Sequence, residues 1–584
     1  MIGIGARRLF MTYRLIDLEL KVNEKISNRD DLQPVTDTKY NILESSFVTY
    51  IYYNLTKKRI YIGETKHFLI RHNQHMDEEK FKEGEFDNCL IVYNASEFSA
   101  SHVKDLEYML INYMFAETDI TKFTIQNGNS GQVQPKDFFN PGDFINLWEE
   151  ELFKRNLVKT KKLQQIKNKI LFKYSPFKQL SKMQSQYENE IVSNPKINHL
   201  ITGGAGTGKT VLLMSLMYRL ATENPNMKIG LVTTGNLTNK FNKILKQLKL
   251  QDKLRFERAG KLILDARKNN EKYHIILVDE SHRLQRYYPK GHPEAKKHFD
   301  IENPIINELQ MLQEISESVV LFYDPFQSVR PQDILRGTYL EQTSSFTTLP
   351  LNQQFRIASN GEFSGDDFVK GVLYALNLSN DNNFIPEIFT YKNEDSYFRV
   401  VNSIKELFDY VEDMDCSWGD TTNRVIAGYT KEWASNPNLK KNKGIKRENL
   451  PYDWIEEGNK WRWNSQHERW VELEKSKTEI GSIHAIQGAD LDHIGVIIGN
   501  DIQVGEQGKL RVVKENYKDK GGTPLLSEFN EEEFTNYVLN IYYILLTRGI
   551  SGCRVYFEDP EVRKYFKQKI SEGVSTDSYI SWIK

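Results

Sequence analysis

The residues best equipped for chemistry by type and spacing are Gly203, Gly204, Ala205, Gly206, Thr207, Gly208, Lys209 and Thr210. Gly203, Gly208, Lys209 and Thr210 fit G-x-x-x-x-G-K-[ST], a pattern that cradles the phosphates of a nucleoside triphosphate. Glycines let successive N–H groups turn inward around an anion, and the positive end of the next helix adds to the field. Lys209 would reach the β- and γ-phosphates and Thr210 would hold Mg²⁺. The pattern needs a strand before it and a helix after it. The apolar run 199–202 and the helical apolar spacing over 211–220 supply both.

Further polar groups stand at the ends of apolar runs. Residues 274–278 lead into Asp279 and Glu280, and 319–323 lead into Asp324 and Gln327. Uninterrupted apolar strands suit a parallel sheet covered on both faces. Asp279 would bind Mg²⁺ through water and Glu280 would polarise the attacking water. Nearer the N-terminus, 47–53 reads as a strand, 54–58 as a turn and 59–63 as the return strand. A helix carrying Leu69, Arg71 and His75 follows.

From about 176 onward the motifs arrive in an order that resembles superfamily 1 helicases, nearest the bacterial branch whose fold recurs in the Schlafen helicase domain. Gln184 precedes the phosphate loop where such helicases contact adenine, which implies ATP. Gln327 matches a sensor of the γ-phosphate, and Leu351-Asn352-Gln353-Gln354-Phe355-Arg356 matches the opening of a second lobe. Ile480 to Asp490 matches the late motif that couples nucleic acid to ATP, with Gln487 and Gly488 as its nucleotide-side residues. Thr547-Arg548-Gly549 matches the last motif, with Arg548 as the arginine finger. The resemblance implies that ATP sits between two RecA-like lobes, with Arg356 and Arg548 closing on the γ-phosphate.

Residues 47–130 resemble the GIY-YIG nucleases. Tyr50-Ile51-Tyr52 falls on the first motif and Tyr61-Ile62-Gly63 on the second, with Tyr50 where the family has glycine. The resemblance implies a Mg²⁺-dependent phosphodiester endonuclease. Tyr52 and Tyr61 would present hydroxyls to one site, Arg71 would clamp phosphate, Glu107 would hold the metal and Asn127 would complete the set. His75, one turn beyond Arg71, reads equally as an accessory or a surface histidine.

The expected architecture is α/β: a small α+β GIY-YIG domain over 1–135, a basic linker over 136–175, and two RecA-like parallel-sheet lobes over 176–345 and 346–584. Within the linker, 153–173 carries cations and no acid, and fits a helix that tracks nucleic acid as well as it fits a solvated linker. Within the second lobe, 431–475 is basic early and rich in tryptophan later. It reads as a small β insertion with its own core, with strand contact as the other reading.

The chain has 584 residues, 39% hydrophobic, 27% charged and 12% aromatic, with net charge −1. No global basic signature exists, so a nucleic-acid surface must be a local patch. Cys89, Cys416 and Cys553 are scattered and fit a reducing compartment. With no membrane-length apolar run, the expected location is cytoplasmic. The expected partner is nucleic acid, DNA ahead of RNA, with homo-oligomer formation left open. The architecture resembles bacterial antiphage nuclease–helicase proteins. Repair or restriction, and a non-cleaving ATPase switch, are the other readings.

Overall fold

A computed structural model describes residues 13–32, 35–121, 123–125, 139–167, 169–233, 242, 244–246, 248, 250–286, 307–330, 332–357, 364–394, 396–418, 421–467, 470–486, 489, 491–519 and 530–574. The chain divides into two compact units. One comprises Met1–Ser193, Thr210–Met227 and Asn239–Leu254; the other comprises Asn194–Lys209, Lys228–Thr238 and Arg255–Lys584.

In the first unit, β1 (Arg14–Glu19), β2 (Val48–Asn54), β3 (Arg59–Thr65), β4 (Asn88–Tyr93) and β5 (Thr124–Ile125) form one sheet in the order β1-β4-β2-β3-β5. Neighbours run antiparallel except β3 and β5. The β2–β3 turn closes with Lys58 in the left-handed region at φ 54°. Its register sets Tyr52 opposite Tyr61 and Tyr50 opposite Gly63. The period of two puts these three tyrosines on one face, where they join a core with Phe68 and Phe81. A Cβ at Gly63 would lie 2.3 Å from the Tyr50 hydroxyl oxygen, so the ring of Tyr50 requires glycine there. The helix Phe68–His75 carries Arg71, and the helix Ala100–Thr121 carries Glu107.

The basic stretch is not one helix. It forms short helices at Leu163–Lys167 and Ile170–Lys173, with Leu157, Val158, Leu163 and Ile166 buried. Its cations meet carboxylates of the same unit. Arg155 pairs with Asp17 and Glu151, Lys154 and Lys161 with Glu150, Lys162 with Glu149 and Lys169 with Glu117. The segment is therefore a strap tied to acids, and a polyanion would have to displace those acids.

The second unit holds both large sheets. β6 (His199–Gly203), β7 (Ile229–Val232), β8 (Leu254–Glu257), β9 (Ile275–Val278), β10 (Val319–Tyr323) and β11 (Thr347–Leu351) stand in the order β11-β6-β10-β9-β7-β8. β11, β6, β10, β9 and β7 pair in parallel. β9 and β10 are buried along their whole length. β11 lies beyond the expected lobe boundary at 345, yet it pairs with β6, so the first sheet extends to Leu351.

The second sheet contains β12 (Phe398–Val400), β13 (Arg424–Ala427), β14 (Trp454–Glu456), β15 (Asn459–Trp463), β16 (Glu479–Ser482) and β17 (Leu491–Ile498). After a separate hairpin of β18 (Ile502–Val504) and β19 (Leu510–Val512), β20 (Gly549–Phe557) completes it in the order β12-β20-β17-β13-β16-β15-β14. These are the two RecA-like lobes expected. The tryptophan-rich segment has no core of its own: β15 pairs in parallel with β16, and Trp454, Trp461, Trp463 and Trp470 are buried in the lobe's common core. Trp470 donates its indole N–H to Glu479 over 2.8 Å and Trp463 donates to the Lys431 carbonyl over 3.2 Å. These rings are unavailable to bases.

Gly63→Ala should destabilise the first unit by about 1–3 kcal/mol, the cost of overpacking, in denaturant melts followed by a probe in that unit. In a Tyr50→Leu background the same change should cost almost nothing.

Candidate nucleotide site and a second polar cluster

The carboxyl ends of β6, β9 and β10 deliver the polar groups of the second unit to one place, as open parallel sheets do. Gly206 and Gly208 have φ +77° and +78°, so the loop turns through conformations that glycine adopts freely. Lys209 is buried. Its ammonium donates to the carbonyls of Gly203 at 2.7 Å and Gly204 at 2.8 Å, and lies 3.4 Å from Asp324 Oδ2. Asp324 is fully buried, and Gln327 Nε2 donates to the same carboxylate oxygen over 2.8 Å. Thr207 Oγ1 donates to the Gly204 carbonyl.

Asp279 ends β9 and is buried. Burial, then the charge of Glu280, pushes its carboxyl up to about 7 against the pull of Lys209. Burial acts to raise Glu280 as well, but His282, Arg283, Lys209 and Arg548 outweigh it and hold that carboxyl below its usual range. His282 is itself kept neutral at pH 7, first by burial, so the guanidinium and ammonium groups carry the effect. Glu280 adopts φ 49°, ψ 46°, a left-handed conformation uncommon for a side chain of this size. Among the described residues no group of three or more His, Cys, Asp or Glu could hold a metal ion.

The second lobe reaches this loop directly. The Phe355 amide donates to the Gly206 carbonyl over 2.7 Å, and a Cβ on Gly206 would lie 2.7 Å from Arg356 Cβ. Gln354 Oε1 accepts from the amides of Arg356 and Ile357, fixing that turn. The Phe355 ring is 53% exposed, an open aromatic face next to a phosphate loop. Arg548 is buried, donates to the Ala489 carbonyl over 3.4 Å, and acts on Glu280. Tyr543, on the helix Glu531–Leu546, accepts the Ala205 amide proton at 3.2 Å and packs its ring against Phe326. Tyr543 was not singled out from sequence; its place inside the last motif, one helical turn and more ahead of Arg548, was the available signal.

Gln184 lies in the first unit, near the start of the helix Lys182–Ser193. Its Oε1 accepts from the Ser181 amide at 2.9 Å while its amide donates to Ser181 Oγ at 3.2 Å. The two bonds form a capping box. Gln487 and Gly488 lie outside the described residues. Thr210 is the second residue of the helix Lys209–Glu223.

The first unit holds a second polar cluster. The Tyr50 hydroxyl lies 2.9 Å from His75 Nε2, and His75 Nδ1 lies 2.9 Å from Glu78 Oε1. Burial, then the charge of Arg71, lowers His75 to about 4. The neutral ring donates from Nδ1 to the Glu78 carboxylate and accepts the Tyr50 proton at Nε2. Arg71 donates to Gln74 and stands 3.9 Å from Glu78, and Lys80 pairs with the other Glu78 oxygen at 2.9 Å. Lys80 also sits 4.9 Å over the Tyr61 ring, itself 5.1 Å from the His75 ring. Glu107, half-buried, is pushed up to about 8 by burial and then by Glu64, with Lys104 and Arg71 opposing.

Tyr52 does not share this arrangement. Its hydroxyl donates to His72 Nδ1 at 2.7 Å, because His72 Nε2 already donates to the Glu24 carbonyl at 3.1 Å. Tyr50, at the departing first-motif position, has the buried His75 as its hydroxyl's partner. Asn127 lies outside the described residues.

Asp324→Ala would strand the buried Lys209 ammonium, and breaking a buried pair costs about 3–5 kcal/mol. Thermal melts should show a large loss for Asp324→Ala, mostly recovered in the double variant Asp324→Leu with Lys209→Met.

Residues 196–559 match the family described as Schlafen group 3, DNA/RNA helicase domain. An uncharacterized protein of Saccharomyces cerevisiae, YPL245W, is 26% identical over 408 residues, covering 62% of this chain and 82% of that protein. Among solved structures, Pif1 helicase from Candida albicans aligns at 12% identity with a TM-score of 0.27, covering 67% of this chain and 99% of that one. Bacteroides sp. Pif1 in complex with ADP-AlF4 aligns at 13% with a TM-score of 0.26, covering 69% and 98%. The family match spans well over half of the chain, which therefore belongs to the Schlafen group 3 DNA/RNA helicase domain family and, with it, to the ATP-hydrolysing enzymes.

Proposed function

We propose that the chain is an ATP- and Mg²⁺-dependent helicase or translocase whose first unit is a GIY-YIG endonuclease, so that one chain moves on nucleic acid and cuts it. The observation that carries the motor half is the convergence of Lys209, Asp279, Glu280, Asp324, Gln327 and Arg548 on one phosphate loop.

Lys209 binds the β- and γ-phosphates, exchanging its contacts with the loop carbonyls for phosphate oxygens. Thr210 would hold Mg²⁺, as would Asp279 through water, and the ion would supply charge neutralisation at the phosphates. Glu280, held ionised, orients the water and takes its proton as the water oxygen bonds to the γ-phosphorus and the bond to the β-phosphate oxygen breaks. Gln327 stands between Asp324 and the γ-phosphate and reports its presence. Arg356 and Arg548 bring positive charge from the second lobe to the transition state, so hydrolysis and lobe closure are linked. Phe355 offers an exposed face for the base. ATP is thereby held by both lobes.

In the first unit, Tyr50, His75 and Glu78 form a proton path that supports base catalysis on water at a phosphodiester. Arg71 would clamp the phosphate, Tyr61 would border the site and Glu107 would hold Mg²⁺, which would supply charge neutralisation at the phosphodiester. The substrate is nucleic acid, DNA ahead of RNA. The pairing of a cutting unit with a motor supports a role in antiphage defence, which plaque counts with and without the protein test.

Lys209→Ala should abolish ATP hydrolysis, and Arg548→Ala should lower kcat by roughly 10³–10⁵, while both bind nucleic acid. Glu107→Ala and His75→Ala should abolish cleavage of labelled DNA or RNA and leave ATP hydrolysis intact. Intact substrates under all conditions with Mg²⁺ would remove the nuclease half of the proposal.

A further inference from the structure

The two basic stretches of the chain differ in one respect that charge counting hides. In the strap around 153–173, Lys154, Arg155, Lys161, Lys162 and Lys169 pair with acids. The lysines of the loop around 439–449 do not. There the ion pairs belong to Lys431, on Glu558, and Arg447, on Glu479. Lys440, Lys441, Lys443 and Lys446 are exposed and have no ion pair among the described residues.

This loop is held in shape from below. Asn442 is buried and its side-chain amide donates to the carbonyls of Ala434 at 2.8 Å and Asn436 at 2.7 Å. Arg447 donates to the Ser435 carbonyl at 3.0 Å and to Glu479 at 3.1 Å. Gly444 takes φ +80° between the lysines. Four ammonium groups are thus presented at fixed positions rather than on a loose tether, which lowers the ordering cost of binding a polyanion.

Six residues beyond Lys446 the chain exposes an aromatic ring. Tyr452 is 43% exposed, and the Arg462 guanidinium lies 3.8 Å from its ring centroid. Arg462 is locked by donation to the carbonyls of Leu450 and Glu448. Lys460 lies 5.9 Å from the same ring. The four buried tryptophans of this segment cannot stack on a base, whereas Tyr452 can.

We propose that this surface of the second lobe, Lys440, Lys441, Lys443 and Lys446 with Tyr452, docks single-stranded nucleic acid. The lysines take backbone phosphates and Tyr452 takes an unstacked base. A duplex offers the phosphates but no free base face, so the tyrosine selects the single strand. The surface rests on the helicase reading for the class of its partner.

The test is anisotropy of labelled oligothymidylate and oligouridylate against salt, using the full chain. Each phosphate contact contributes roughly 0.7 to the slope of log K against log salt on single strands. The variant K440A/K441A/K443A/K446A should therefore flatten the slope by about 3 and weaken binding. Tyr452→Ala should weaken binding about tenfold with the slope unchanged. Both variants should keep the ATP hydrolysis rate measured without nucleic acid. A quadruple variant with the wild-type slope, or a Tyr452→Ala chain that binds as wild type, overturns the docking surface while leaving the motor standing. A wild-type chain that hydrolyses no ATP overturns the motor instead.

Discussion

The ammonium of Lys209 is the constraint on which the second unit depends. A buried cation needs several oxygen partners at once, and here they come from two strands. Gly203 and Gly204 follow β6, and Asp324 follows β10. The partners meet only because β6 and β10 pair with Tyr323 opposite Thr202. That register is set by the apolar residues that bury both strands. A slip of one residue would withdraw the carboxylate from the lysine. The same lysine also bears on Asp279, Glu280 and His282, alongside burial and the charges those groups place on one another.

The parts of the fold that were legible in sequence are those with one dominant signal. The phosphate loop, β9 and β10 are bounded apolar runs with polar groups at a fixed end, and the β2–β3 hairpin has alternation and a turn. What sequence left open depended on partners distant in the chain. Tyr50 and Tyr52 share a face, and only the helix Phe68–His75 decides which hydroxyl meets His75 and which meets His72. Gln184 has the spacing of an adenine contact and also that of a capping box, and its hydrogen bonds with Ser181 form the second. The tryptophans of 454–470 are core because β15 extends the main sheet, a pairing with no local mark. β11 belongs to the first lobe for the same reason.

Charge is distributed by pairing rather than by count. A net charge of −1 conceals a strap whose lysines and arginine are neutralised by neighbours and a loop whose lysines are not. The two polar clusters likewise differ in kind. The nucleotide cluster is a buried set of charges arranged around a loop of backbone amides. The cluster of the first unit is a tyrosine–histidine–glutamate chain on a sheet face, flanked by Arg71 and Lys80.

The most direct measurement of the central claim is steady-state ATP hydrolysis by the purified chain with Mg²⁺, with and without single-stranded DNA or RNA. The account predicts hydrolysis that requires Mg²⁺ and rises at least several-fold when a strand is added, because Arg356 and Arg548 are carried by the lobe that a strand engages. ATP binding without turnover, or turnover indifferent to every nucleic acid tried, would contradict it.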